Sequence, residues 1–137
     1  MAVTFTTTYL GELRTQMIHG PSGTTVLTDA PVDNHGKGQA FSPTDLVASA
    51  LGSCMLTVMG IVAQRDSIAL EGTTVQVEKH MSAAPPRKLA KIVVAFTMAR
   101  GIAVDQRAKL ERAAATCPVA LSLHPEVAQV VTFAWPS

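Results

Sequence analysis

The stretch from Ser42 to Ala63, SPTDLVASALGSCMLTVMGIVA, decides the fold of this chain. Ser42 is a favourable N-cap, Pro43 suits the first helical position, and Asp45 stands three residues after the cap, so we predict that a helix begins here. The run from Leu46 to Ala63 carries no charged residue and is long enough to allow a transmembrane span. Because small residues dominate the run and an acidic cap precedes it, we instead expect a central helix buried in a soluble protein.

Strand patterns flank this helix on both sides. Before it, three short runs rich in threonine and apolar residues predict strands, and a loop containing two glycines follows: residues 3–9, 12–18, 24–28 and the loop 29–41. After it, we predict an antiparallel hairpin, an amphipathic helix that gives way to a turn at Pro118, and a last strand: residues 73–82, 88–99, 105–116 and 127–135. This order predicts one α+β domain over residues 1–137, with a helix layer on antiparallel sheet.

Composition narrows the classes of function. The 137 residues are 47% apolar with a formal charge of +1, so one folded domain is expected and neither nucleic acid nor a membrane is indicated as a partner. Two cysteines are too few for a disulfide-stabilised secreted mini-protein, and the N-terminus lacks a signal-peptide pattern, so we expect a cytoplasmic location. The four histidines show no ligand-like spacing, and we therefore expect no metal and no other cofactor.

Cys54 and Cys117 carry the most distinctive chemistry in the sequence. Taken alone, Cys54 inside an apolar helix is more readily a buried filler residue than a nucleophile. If the two cysteines met in the fold, a thiolate could attack a peroxide O–O bond, and the resulting sulfenic acid could condense with the second thiol to a disulfide. Their separation excludes a Cys-x-x-Cys motif, but both lie on apolar faces that can pack into a common core.

A reactive thiolate at Cys54 needs a cation, because the helix dipole acts only over the terminal turn and apolar surroundings raise a thiol pKa. Arginine suits this role since it stays charged when buried. The six arginines are Arg14, Arg65, Arg87, Arg100, Arg107 and Arg112. Most arginines lie on the solvated surface. We prefer Arg14, which belongs to an early strand that can cross the helix layer.

Three segments resemble the OsmC/Ohr family of osmotically inducible and organic-hydroperoxide-resistance proteins, and the short OsmC-like branch in particular: FSPTDL at 41–46, ALGSC at 50–54 and CPVALS at 117–122. The resemblance implies an intertwined homodimer in which antiparallel sheets pack around long central helices. It also implies reduction of organic hydroperoxides at the expense of a dithiol, lipoyl-type in the Ohr proteins. In that scheme Cys54 is the reactive cysteine and Cys117 the resolving one. The family's activating arginine comes from the N-terminal sheet, where Arg14 is the only arginine.

One position departs from the family pattern. The family's peroxidases hold the arginine with a glutamate ten residues before the reactive cysteine, and this chain has Thr44 there. Asp45 is adjacent but lies about 100° around the helix, and we interpret it as the capping acid. Three hypotheses remain open: a cysteine-based hydroperoxide reductase, a non-catalytic dimeric small-molecule-binding or redox-sensing protein on the same fold, and a structural role for both cysteines.

Overall fold

A computed structural model describes residues 1–136 of the chain. By their contacts the residues form two compact units, Met1–Val47 and Ala48–Ser137, and the boundary falls near the start of a long helix. The elements are β1 (Phe5–Gly11), β2 (Arg14–His19), β3 (Thr25–Asp29), α1 (Pro43–Arg65), β4 (Thr74–Met81), β5 (Leu89–Thr97), α2 (Val104–Ala115), α3 (Pro118–Ser122) and β6 (Ala128–Ala134). Each predicted strand and long helix is present, and the short helix α3 takes the place of the predicted turn at Pro118.

The first unit contains an antiparallel sheet in the order β1-β2-β3. Glu12 and Leu13 join β1 to β2 and have positive φ values of 54° and 62°. This two-residue geometry matches the right-handed twist of a hairpin. The connection makes Arg14 the first residue of β2, and its cross-strand partner in β3 is Asp29.

Hydrogen bonds of Asp29 close the loop that leads from β3 to α1. The Asp29 amide donates to the Phe41 carbonyl oxygen over 3.1 Å, and its Oδ2 accepts from the Gln39 amide over 3.0 Å. Glycine is required at Gly36, because a Cβ there would lie 1.7 Å from the Ala30 carbonyl oxygen. The predicted loop began at residue 29, and this boundary is wrong because Asp29 ends β3. Asp29 is fully buried, and its main chain and its carboxylate are both hydrogen-bonded.

A capping box begins α1, as the sequence predicts. The Asp45 amide donates to Ser42 Oγ over 3.1 Å, and the Ser42 amide donates to Asp45 Oδ2 over 2.9 Å. Pro43 is the first helical residue. These reciprocal bonds satisfy amides that a helix N-terminus otherwise leaves without partners. The start of α1 is therefore determined by residues within one turn of it.

The sheet of the second unit corrects the prediction of purely antiparallel sheets. Its order is β4-β5-β6; β4 pairs with β5 antiparallel, whereas β6 pairs with β5 in parallel. Parallel neighbours need a long crossover, usually helical. Here α2 and α3 lie between β5 and β6 and return the chain to the end of the sheet where β5 began. The last strand therefore runs in the same direction as its neighbour.

One face of α1 packs into the core of the second unit. Leu51, Met55 and Met59 recur at helical spacing and are fully buried together with Ile92 and Leu110. A glycine at Gly52 brings the helix close to β4, because a Cβ there would lie 2.8 Å from Val77 Cγ2. Burying these side chains supplies the main stabilisation of this unit.

The remaining faces of α1 are less buried than a central helix requires. Ile61 is 63% exposed and Val47 is also exposed. By length and composition alone α1 could cross a membrane, and 33% of its apolar window is buried inside the chain. One such helix is weak evidence for a membrane span. The prediction of a buried central helix therefore holds for one face of α1 within the single chain.

Candidate functional site

Cys54 lies in the middle of α1, at the edge of its buried face. The neighbouring Met55 is fully buried, whereas Ser53 on the other side is exposed. Cys54 itself is half-buried and packs against the hydrophobic core. A thiol at this position is anchored by a rigid helix and still retains access to solvent.

Cys117 joins α2 to α3 and caps the second of these helices. Pro118 follows it and starts α3, while Cys117 keeps an extended backbone with φ −64° and ψ 139°. Its Sγ accepts a hydrogen bond from the Ala120 amide over 3.2 Å. The side chain is 0% exposed. The sulfur therefore takes the place that a serine or threonine oxygen usually occupies at a helix N-cap.

The fold brings the two cysteines together. The side chain of Cys54 lies near enough to that of Cys117 to raise its pKa, and both are free thiols. Burial raises the pKa of the Cys117 thiol; the Ala120 amide lowers it, and the neighbouring Cys54 sulfur raises it further. The net effect raises the pKa of the Cys117 thiol above its ordinary value, so Cys117 is protonated at neutral pH. Cys117 is thus a buried, protonated thiol, whereas Cys54 is half-exposed.

Arg14 and the cysteines belong to different units of the chain. Within the first unit Arg14 is half-buried, and its Nε is buried without a hydrogen-bond partner among residues 1–136. Thr44 lies in the first turn of α1, where its hydroxyl is 3.2 Å from that of Ser42. Asp45 closes the capping box, as predicted. The role of Arg14 stays a prediction.

Asp29 is the polar residue that sequence reasoning missed. It is 0% exposed, and its Oδ1 has no hydrogen-bond partner among the described residues. Burying a charged group without satisfying all of its hydrogen bonds costs free energy, so such a group in a folded protein calls for an explanation. An aspartate at the end of a short strand, two residues before Pro31, resembles an ordinary turn residue, so only its burial distinguishes it.

No cluster suited to a metal ion is found in residues 1–136. A candidate site requires at least three His, Cys, Asp or Glu side chains within reach of one another, and no such group occurs there. Cys54 and Cys117 form a pair without a third ligand. Two neighbouring thiols such as Cys54 and Cys117 are suited to thiol–disulfide chemistry.

The chain is similar to known proteins in both sequence and fold. The family model for OsmC-like protein matches residues 36–131. A Psychrobacter arcticus crystal structure, described as a candidate osmotic stress induced and detoxification response protein, shares 45% identity over 98% of this chain and 97% of that one, with a TM-score of 0.92. No curated protein matches the sequence.

More distant structures share the fold alone. A Legionella pneumophila organic hydroperoxide resistance protein OsmC is 18% identical, with a TM-score of 0.77 over 98% of this chain and 97% of that one. An OsmC-like protein from Mycoplasma pneumoniae is 14% identical, with a TM-score of 0.82 over 100% of this chain and 99% of the other. The architecture therefore persists although most side chains differ.

Proposed function

The chain belongs to the OsmC-like protein family, and from this we propose that it is a cysteine-based peroxidase that reduces organic hydroperoxides with electrons from a dithiol. The observation that carries the proposal is the proximity of the Cys54 and Cys117 side chains. Two neighbouring thiols can close a disulfide when their Cα atoms lie within about 7 Å of each other. The substrate class is supported by the distant Legionella relative, which is named for organic hydroperoxide resistance.

The proposed reaction has three steps. The Cys54 thiolate attacks the terminal oxygen of the hydroperoxide, the O–O bond breaks, and the alcohol leaves after taking up one proton, so that Cys54 becomes a sulfenic acid. The Cys117 thiol then attacks the Cys54 sulfur, which forms the disulfide and releases water. Finally a dithiol, which we propose to be lipoyl-type, reduces the disulfide to two thiols and is itself oxidised to a disulfide.

Exposure and protonation support this assignment of roles. Cys54 is half-buried and open to a substrate, whereas Cys117 is fully buried. The raised pKa of Cys117 keeps its sulfur protonated at neutral pH, which suits a residue that waits for the sulfenic acid rather than attacking the peroxide. Cys54 is therefore the proposed nucleophile and Cys117 the proposed resolving cysteine.

We assign to Arg14 the stabilisation of the Cys54 thiolate. A cation beside a thiol lowers its pKa, and an arginine keeps its charge when partly buried. Among residues 1–136 the Nε of Arg14 has no hydrogen-bond partner, so the guanidinium keeps donors that a thiolate could accept. Arg14→Lys is expected to slow peroxide reduction more than reductant binding.

We propose that the working molecule is a cytoplasmic homodimer. The exposed side chains of α1, with Ile61 foremost, belong to a helix without charges between Leu46 and Ala63. A second copy that covers this face would remove apolar surface from water, which stabilises association. The helix would then be buried between subunits rather than in a membrane.

The proposed activity is tested by peroxide consumption. Purified protein is mixed with cumene hydroperoxide and dihydrolipoamide, and we expect many turnovers per molecule. Cys54→Ser is expected to abolish turnover. Cys117→Ser is expected to stop at a sulfenic acid on Cys54 that a dimedone probe labels. Turnover by Cys54→Ser equal to that of the unmodified protein would refute the proposal.

A second candidate function, redox sensing or small-molecule binding without catalysis, is favoured by Thr44. Thr44 occupies the position where the family's peroxidases carry an acid. Its hydroxyl lies beside that of Ser42. A sensor would oxidise Cys54 slowly and once per molecule, without turnover by the dithiol. The same peroxide assay separates the two candidates, because the number of turnovers per protein molecule is either many or one.

A further inference from the structure

Arg14 and Asp29 face each other across strands β2 and β3. They are paired by register, and the neighbouring pair is hydrogen-bonded, since the Ala30 amide donates to the Leu13 carbonyl oxygen over 3.2 Å. Hydrogen-bonded and non-hydrogen-bonded pairs alternate along an antiparallel ladder. Arg14 and Asp29 therefore form a non-hydrogen-bonded pair, and the Asp29 amide accordingly points to Phe41 instead. In such pairs the opposed side chains project from one face and lie closest together.

Each residue of this pair has one buried polar atom without a partner. Among residues 1–136 these atoms include Arg14 Nε, a donor, and Asp29 Oδ1, an acceptor. Leaving a buried donor or acceptor unsatisfied is costly, and more so when the group is charged. The two atoms are complementary in charge and in hydrogen-bonding role.

We propose that Asp29 is the positioning residue for Arg14, through a hydrogen bond from Arg14 Nε to Asp29 Oδ1. This inference rests on the proposed function, in which Arg14 stabilises the Cys54 thiolate. Directly opposed Cβ atoms lie about 4.5–5.5 Å apart, so a change of the Arg14 side-chain rotamer can form the bond without moving the strands. With Nε held by Asp29, the two terminal nitrogens of the guanidinium remain available for the thiolate and the peroxide.

Hydrogen bonds to neighbouring residues fix the direction of the Asp29 carboxylate. Oδ2 is held by the Gln39 amide over 3.0 Å, and the main chain is held by Phe41 over 3.1 Å. The side chain is thus fixed in direction, with Oδ1 as the remaining acceptor. A carboxylate that is anchored on one oxygen can orient an arginine at little further cost in side-chain entropy.

A purely structural role for Asp29 is the competing explanation, because its hydrogen bonds also close the loop before α1. Asp29→Asn separates the two roles. The amide oxygen can still accept from Gln39, which keeps the loop closed, whereas the negative charge and the free acceptor are lost. Asp33→Asn, an exposed acid in the same loop, is the matched control.

The experiment observes the Arg14 Nε–H directly by ¹H–¹⁵N NMR, with the resonance identified by its loss in Arg14→Lys. We expect the Nε–H to be protected from water exchange in the unmodified protein. Asp29→Asn should raise its exchange rate about tenfold or more, the factor that corresponds to loss of one hydrogen bond to a charged group. Asp33→Asn should leave it unchanged, and the Gln39 amide should stay protected in every variant.

Peroxidase kinetics complete the test and separate this inference from the proposed function. If Arg14 is catalytic, Asp29→Asn should lower kcat/KM for cumene hydroperoxide about tenfold as well. An Nε–H that responds to Asp29→Asn in a protein without turnover would support the pairing and refute the peroxidase. An active peroxidase whose Nε–H is the same in Asp29→Asn and in the unmodified protein would refute the pairing alone.

Discussion

The sulfur of Cys117 is the N-cap of helix α3, accepting a hydrogen bond from the Ala120 amide over 3.2 Å. The same sulfur lies near the side chain of Cys54, which raises its pKa. One atom therefore caps the start of a helix and is also the atom that would form the proposed disulfide. Oxidation would change the acceptor that caps α3, so the redox state of the pair and the stability of this helix start are linked.

The capping role predicts a difference between two small substitutions at Cys117. Serine keeps an acceptor for the Ala120 amide, whereas alanine leaves that part-buried amide without a side-chain partner. Cys117→Ala should therefore lower the free energy of unfolding by about 1 kcal/mol more than Cys117→Ser. Urea unfolding under reducing conditions, at one protein concentration, measures the difference. Equal unfolding midpoints for the two variants would contradict the capping role.

The lowered pKa of Asp66 predicts how the free energy of unfolding falls at acid pH. Its pKa is lowered to about 2, chiefly by the hydrogen bond from Arg65 and also by Lys109, whose Nζ lies 2.5 Å from Oδ2. Because the folded pKa lies below the ordinary value of 3.8, this group stabilises the fold above that pH and loses its contribution as the pH falls towards 2. Asp66→Asn should flatten the loss of unfolding free energy in this interval.

The control for Asp66 is Glu71→Gln, which removes an exposed carboxylate elsewhere in the second unit. Unfolding by urea is followed from pH 5 down to pH 2 in all three proteins. We expect Asp66→Asn to differ from the unmodified protein more at pH 5 than at pH 2. A difference that stays constant across this range would show that Asp66 stabilises the fold by some means other than its charge.

The exposed face of α1 predicts the oligomeric state. Ile61→Glu places a charge on a face that, in the proposed dimer, would be buried, and an unpaired buried charge is strongly destabilising. Sedimentation velocity should show a dimer for the unmodified protein and a larger monomer fraction for Ile61→Glu. Val104→Glu alters a residue of α2 that is 75% exposed and should remain dimeric. A monomeric unmodified protein would overturn the prediction.

Gly36 predicts a strong local requirement in the loop before α1. A Cβ at this position would lie 1.7 Å from the Ala30 carbonyl oxygen, which is main chain and has no flexible end that can yield. Gly36→Ala should cost about 1–3 kcal/mol of unfolding free energy, the range for an overpacked site. Lys37→Ala, which removes only an exposed ion pair to Glu12, should cost less than about 1 kcal/mol. Thermal unfolding that ranks the variants in the opposite order would contradict the requirement.

Much of the local structure could be predicted from the sequence because it depends on neighbouring residues. The reciprocal bonds of Ser42 and Asp45 involve residues three apart, so the start of α1 follows from the pattern itself. Alternation of apolar residues likewise located the β4–β5 hairpin. The direction of β6 could not be predicted in this way, because it depends on how α2 and α3 carry the chain across the sheet.

By itself the sequence determined where most of the helices and strands form, which family the chain resembles, and which two cysteines are the candidate reactive residues. Only the tertiary structure decided that Cys54 and Cys117 lie near each other and that Asp29 is buried opposite Arg14. The physical reason is the separation along the chain of the residues that interact. Caps, turns and hydrophobic periodicity are interactions between residues a few positions apart, whereas the proximity of two thiols and the burial of a carboxylate arise from packing between elements that are distant in the chain.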